Sequence, residues 1–230
     1  MSTGRMTAMP PTARWRRTLT TRLPSARPAT LSSVAASSPP AILNRCFMRA
    51  GWKRRHWMPF NADPYISKTP GFPKEGITFY DISPILEDSA VVRQAMGALA
   101  DLTRPMAPDI IAGVDARGFL FALPLALELE CGMVMVRKAG KLPGELFEQS
   151  YALEYGEARL SIQASRQLRD KRVVLCDDLL ATGGTLDASA RLVKQCGGIL
   201  AGAVCIIELT GLNGRARLDC PVAALQAYEF

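Results

Sequence analysis

One segment restricts the fold more than any other: Arg172-Val173-Val174-Leu175-Cys176-Asp177-Asp178-Leu179-Leu180-Ala181-Thr182-Gly183-Gly184-Thr185. Its apolar first half reads as a buried strand that delivers two adjacent carboxylates at its carboxyl end. Gly183 and Gly184 follow; glycine tolerates positive φ and lets backbone approach a ligand closely. Residues 185–195 then have helical spacing. A buried strand, a tight turn and a helix in this order belong in a parallel sheet, where ligands collect at the carboxyl ends of the strands.

The rest of the chain extends that reading. Residues 91–102 place Val92, Ala95, Met96, Leu99 and Leu102 at helical spacing. Residues 109–114 form a short apolar strand and 119–129 a helix. Residues 133–136 form another strand, a polar stretch over 137–157 follows, and a hairpin strand is expected around 159–162. Residues 172–176 are a strand, and 199–209 a long buried one. Strands alternating with helices imply an α/β domain, with a mostly parallel twisted sheet covered on both faces. No internal repeat is visible.

The junction after Cys176 has a definite chemistry. Consecutive backbone N–H groups at a helix N-terminus, beside the Thr182 and Thr185 hydroxyls, make a cradle for a phosphate dianion. No Lys follows the glycines, so this is not a loop of the Walker type. Asp177 and Asp178 would repel a plain phosphate. They suit a ribose phosphate, whose diol donates hydrogen bonds to carboxylates and whose anomeric carbon becomes cationic as a leaving group departs. Pyrophosphate needs cations, and Arg117, Arg137, Lys138 and Lys141 lie on loops that follow neighbouring strands.

Composition removes several alternatives. Eleven of the 28 basic residues and none of the 21 acidic ones fall in residues 1–57. The remaining 17 basic groups face all 21 acids, a formal charge of −4 over 58–230. The overall charge of +7 is therefore no argument for nucleic-acid binding. Cys46, Cys131, Cys176, Cys196, Cys205 and Cys220 have no zinc spacing and read as free thiols of a reducing compartment. The one histidine, His56, lies outside the globular part, which excludes Ser-His-Asp, Cys-His and His-metal chemistry there. No apolar run approaches the roughly 20 residues that span a bilayer.

The 173–185 element resembles the ribose-phosphate motif of the type I phosphoribosyltransferases. Three further segments resemble the adenine phosphoribosyltransferases in particular. They are Phe72-Pro73 with residues 76–84, the stretch 112–121 around Asp115-Ala116-Arg117-Gly118, and 137–144 running on to 150–156. The resemblance covers most of 64–230 in the family's order. It implies a type I phosphoribosyltransferase fold with a small hood and a mobile loop. It also implies transfer of phosphoribosyl from 5-phosphoribosyl 1-pyrophosphate to adenine, giving AMP and pyrophosphate in purine salvage.

On the matching positions, the resemblance places Asp177, Asp178, Ala181, Thr182, Gly183, Gly184 and Thr185 at the ribose phosphate. It places Asp115, Ala116, Arg117, Arg137, Lys138 and Lys141 at the pyrophosphate. Phe79 and Leu179 would enclose adenine, with the Thr78–Tyr80 backbone at its polar edge. Glu154 would carry the acid–base step with the purine N7. Mg2+ is expected to bind through the donor, with no protein metal ligand. A homodimer is implied, in the cytoplasm. Two departures stand out: Tyr80 replaces a residue that is basic in many relatives, and Ala122-Leu123-Pro124 follows Phe121 where Gly-Pro is common.

The domain is expected over 58–230, preceded by a basic, disordered extension over 1–57. Met58 as the native start, an organelle-targeting segment and a basic arm are the three readings of that extension. The rival functions are a xanthine or hypoxanthine/guanine enzyme, or a non-catalytic purine-responsive regulator of the same fold.

Overall fold

The computed structural model describes residues 60–153 and 156–229. The expected 1–57 extension and Glu154 lie outside the described residues.

The chain enters through a two-stranded antiparallel hairpin, β1 (Ser67–Pro70) and β2 (Thr78–Asp81), followed by α1 (Ser83–Glu87) and α2 (Ser89–Thr103). Asp88 caps α2 by accepting from the Ala90 N–H at 2.7 Å, which satisfies one of the donors a helix start leaves open. Next come β3 (Ile110–Val114), α3 (Gly118–Glu128), β4 (Gly132–Lys138), β5 (Leu146–Leu153) and β6 (Gly156–Gln163). The chain ends with β7 (Arg172–Leu180), α4 (Gly184–Gln195), β8 (Ile199–Leu209) and β9 (Val222–Tyr228).

Among the described residues the main sheet has seven strands in the order β5-β6-β4-β3-β7-β8-β9. The five from β4 to β9 are parallel, and β6 and β5 add antiparallel pairs at one edge. Alternation along the central strands builds the two layers. Val174 and Cys176 of β7 face one core with α2 and α3, through Leu99, Phe121 and Leu125. Val173 and Leu175 face the other with α4, through Leu186, Leu192 and Val193. The doubly covered α/β architecture expected from the sequence is the one found.

Three details differ. The polar stretch 137–157 contains strand β5. It is an edge strand with one packed face, where Phe147 and Tyr151 lean on the α4-side core, so its polar remainder hides the period in the sequence. β7 continues past both acids to Leu180, held by pairs of Asp177 with Cys205 and Leu180 with Glu208. β9 was not foreseen; its Ala-rich sequence has no strand preference of its own, and pairing with β8 imposes the conformation.

Leu125 is fully buried where α3 meets the sheet. Leu125→Ala should lower the unfolding free energy by about 2–5 kcal/mol in urea titrations, with little change in secondary structure.

Candidate active site

After β3 the chain crosses by α3 to β4 on one side. After β7 it crosses by α4 to β8 on the other. The crossovers diverge between β3 and β7, and such a switch point leaves a crevice at the strand ends. A cavity of about 320 Å³ lies there.

The first wall is the turn after β7. Ala181, Thr182, Gly183, Gly184 and Thr185 all line the cavity. Gly183 has φ +81° and is the N-cap of α4, and no side chain caps this helix. Its first-turn N–H groups therefore face the cavity as anion donors.

Asp177 and Asp178 form the floor, each only 7% exposed. The Asp178 N–H donates to Asp177 Oδ1 at 2.9 Å. Burial, then the negative charge of Asp178, pushes the Asp177 carboxyl well above the usual carboxylate range. Arg117 Nε meets Asp178 Oδ2 at 2.9 Å.

The opposite wall is the β3–α3 turn, with Asp115, Ala116 and Arg117. It can reach the floor because residue 118 is glycine. A Cβ there would lie 2.6 Å from the Cys176 carbonyl oxygen and 3.0 Å from Asp177 Oδ1. The Asp115 carboxylate accepts from Arg137 Nε at 3.1 Å and from the Lys138 N–H at 3.4 Å. That ties the β3 and β4 strand ends together.

The structure thus gathers Asp115, Ala116, Arg117, Lys138, Asp177, Asp178, Leu179 and residues 181–185 on one cavity. Arg137 is spent on Asp115 and stands over the Phe119 ring at 5.8 Å. Neither it nor Lys141 lines the cavity. Thr78, Phe79 and Tyr80 also lie outside the lining, although Phe79 stands 5.9 Å from the Arg117 guanidinium and edge-on to Phe72 at 5.4 Å. Tyr80 turns away and stacks on Tyr228 at 4.6 Å. An aromatic residue at this departure from the family pattern serves packing. Tyr151, Leu180 and Leu186 line the cavity without having been singled out for it. Recognising β5 would have placed Tyr151 there.

The raised Asp177 value has a measurable consequence. Because its folded value exceeds its unfolded one, the folded chain keeps a proton that the unfolded chain releases. The associated stability is fully present below the unfolded value of 3.8 and is lost as pH rises towards the raised one. Urea unfolding of the ligand-free protein should show stability falling with pH from about 4 upward relative to Asp177→Asn, which cannot titrate. Parallel pH profiles for the two proteins would contradict this.

Comparison with known proteins agrees with this geometry. The phosphoribosyl transferase domain profile matches residues 82–221. The adenine phosphoribosyltransferase of Rhodospirillum rubrum is 49% identical over 169 residues, covering 74% of this chain and 99% of that protein. The adenine phosphoribosyltransferase structure from Thermoanaerobacter pseudethanolicus aligns with TM-score 0.70 at 45% identity, covering 72% of this chain and 97% of that one. The Saccharomyces cerevisiae enzyme, solved with an imino-altritol bisphosphate and adenine, aligns with TM-score 0.68 at 38% identity, covering 71% and 95%. Sequence, fold and the crevice between β3 and β7 agree: the chain belongs to the phosphoribosyl transferase family, on its adenine phosphoribosyltransferase branch.

Proposed function

We infer that the chain transfers phosphoribosyl from 5-phosphoribosyl 1-pyrophosphate to adenine, releasing AMP and pyrophosphate. The carrying observation is the convergence of an uncapped helix N-terminus, a buried carboxylate pair and the Arg117 loop on one cavity. Each matches one part of the donor: 5-phosphate, ribose and pyrophosphate.

The reaction breaks the bond from ribose C1 to pyrophosphate and forms one from C1 to adenine N9. The sugar becomes oxocarbenium-like between these events. Asp177 and Asp178 stabilise that positive charge through the ribose hydroxyls, in a site they occupy before substrate arrives. Arg117 and Lys138 take the departing pyrophosphate. For Arg117 this means exchanging Asp178 for phosphate oxygens.

Glu154 accepts the N7 proton as N9 attacks and returns it in the reverse direction. Leu179, in the cavity lining, bounds one face of the base, and Phe79, outside that lining but beside Arg117, is the candidate for the other. Mg2+ would enter as a passenger of the donor. Hard carboxylate oxygens line the floor, yet no group of three or more ligating side chains gathers among the described residues. When bound, the ion neutralises pyrophosphate charge.

We further propose a homodimer built on α3. Leu120, Leu123 and Leu127 are 50%, 53% and 71% exposed on one stripe of that helix. The helix carries no basic residue and only Glu128 as an acid, so a second copy can meet it without like-charge repulsion. Leu123→Glu should convert a dimer to a monomer in sedimentation velocity; an unchanged sedimentation coefficient would refute this interface.

The catalytic assignment is tested with adenine, hypoxanthine, guanine and xanthine, each with donor and magnesium. AMP should form from adenine, and Glu154→Ala should lower kcat by about 10²–10⁴-fold. Turnover confined to 6-oxo purines would overturn the base assignment, and none at all would favour a regulator.

A further inference from the structure

The cradle after β7 presents mainly backbone N–H groups, and these have no side-chain freedom with which to adjust to a ligand. Its geometry depends on what stands behind it. Behind it stands Gly214. A Cβ placed on Gly183 would fall 2.4 Å from the Gly214 carbonyl oxygen. One placed on Gly214 would fall 2.2 Å from the Ala181 carbonyl oxygen and 3.0 Å from the Gly183 nitrogen. The two segments approach backbone to backbone, and the Leu180 side chain packs beside them, its Cδ1 2.8 Å from where a Gly214 Cβ would lie.

Gly214 opens the short helical turn Gly214–Arg217, beyond the end of β8. The next residue anchors that turn. Arg215 donates through Nε and Nη2 to the two carboxylate oxygens of Glu208, and through Nη1 to the Val222 carbonyl oxygen. Glu208 is 4% exposed on β8 and pairs in register with Leu180, the last residue of β7 before the cradle. One guanidinium thus ties the turn to β8 and to the start of β9. Neither Arg215, Glu208 nor Gly214 lines the cavity.

We propose that Gly214 and the Arg215–Glu208 clamp are positioning residues for the 5-phosphate of the donor. They set the height and tilt of the 181–183 backbone and so decide how well its N–H groups meet the phosphate oxygens. This rests on the reading that the cradle holds the sugar phosphate. Arginine suits the task because its planar fork spans both carboxylate oxygens and a carbonyl in one rigid group. A Lys ammonium is a point charge and cannot. Pyrophosphate, held by the Arg117 wall, does not depend on the clamp.

That difference is the test. Calorimetry on the full chain measures ribose 5-phosphate and inorganic pyrophosphate binding separately, beside donor and adenine KM values. Gly214→Ala should weaken ribose 5-phosphate about tenfold or more and raise donor KM in step, since displacements near an ångström carry penalties of this order. Pyrophosphate affinity and adenine KM should stay within about twofold, because their contacts do not move. Arg215→Ala should act in the same direction and Arg215→Lys less strongly. The Lys variant keeps a charge beside Glu208 and carries the test if Gly214→Ala does not fold. Equal weakening of both ligands, or unchanged ribose 5-phosphate binding in variants of an active parent, would overturn the clamp. A parent that turns over adenine but does not bind ribose 5-phosphate would overturn the cradle reading itself.

Discussion

Two carboxylates side by side on a buried strand end are the constraint to which the rest of the site responds. Asp177 and Asp178 are almost without solvent, and burying charge without a partner is costly. The chain meets that cost with three local devices. Arg117 pairs with Asp178, a backbone N–H donates to Asp177, and Asp177 holds its proton more tightly than an exposed carboxyl does. Every one of them is provisional in the sense that a ligand can replace it. A sugar with hydroxyl donors and a developing positive charge satisfies the pair better than the resting arrangement, and a site organised this way favours the transition state over the empty cavity.

The surrounding fold is arranged to bring cations to that pair without filling the space. Parallel pairing of β3 with β7 aligns their carboxyl ends, and the absence of a Cβ at Gly118 lets the Arg117 turn close over Asp177. Divergent crossovers keep α3 and α4 on opposite faces, so neither blocks the crevice. Arg137 is drawn off to Asp115, where it braces two strand ends. It illustrates how a cation on the right loop can serve the scaffold.

A second brace lies at the far edge. Tyr228 of β9 donates its hydroxyl to Asp63 at 2.6 Å and stacks on Tyr80 of β2, while Lys68 of β1 also reaches Asp63 at 2.7 Å. The entry hairpin is thereby tied to the last strand of the sheet. Tyr80 takes part in this contact, which gives a physical account of an aromatic residue there.

By itself, the sequence determined the parts that depend on local pattern. Period-two and period-3.6 apolar spacing marked the central strands and helices, Gly183 and Gly184 marked a turn, and the adjacent acids marked its chemistry. The strand-end rule also pointed to the loops that line the cavity, because it converts chain order into position; the family resemblance named residues such as Asp115, Ala116 and Leu179 within or beside them. It failed at β5 and β9, whose conformations are imposed by neighbouring strands rather than by their own residues. Only the tertiary structure decided which cations stay available. Arg117 and Arg137 look alike as loop arginines, but one lines the cavity, paired with Asp178 on its floor, and the other is held by Asp115 outside the lining. Nor does any pattern announce that Gly214 backs Gly183, 31 positions away in sequence. Contacts of that kind depend on how strands stack in space, and no local periodicity encodes them.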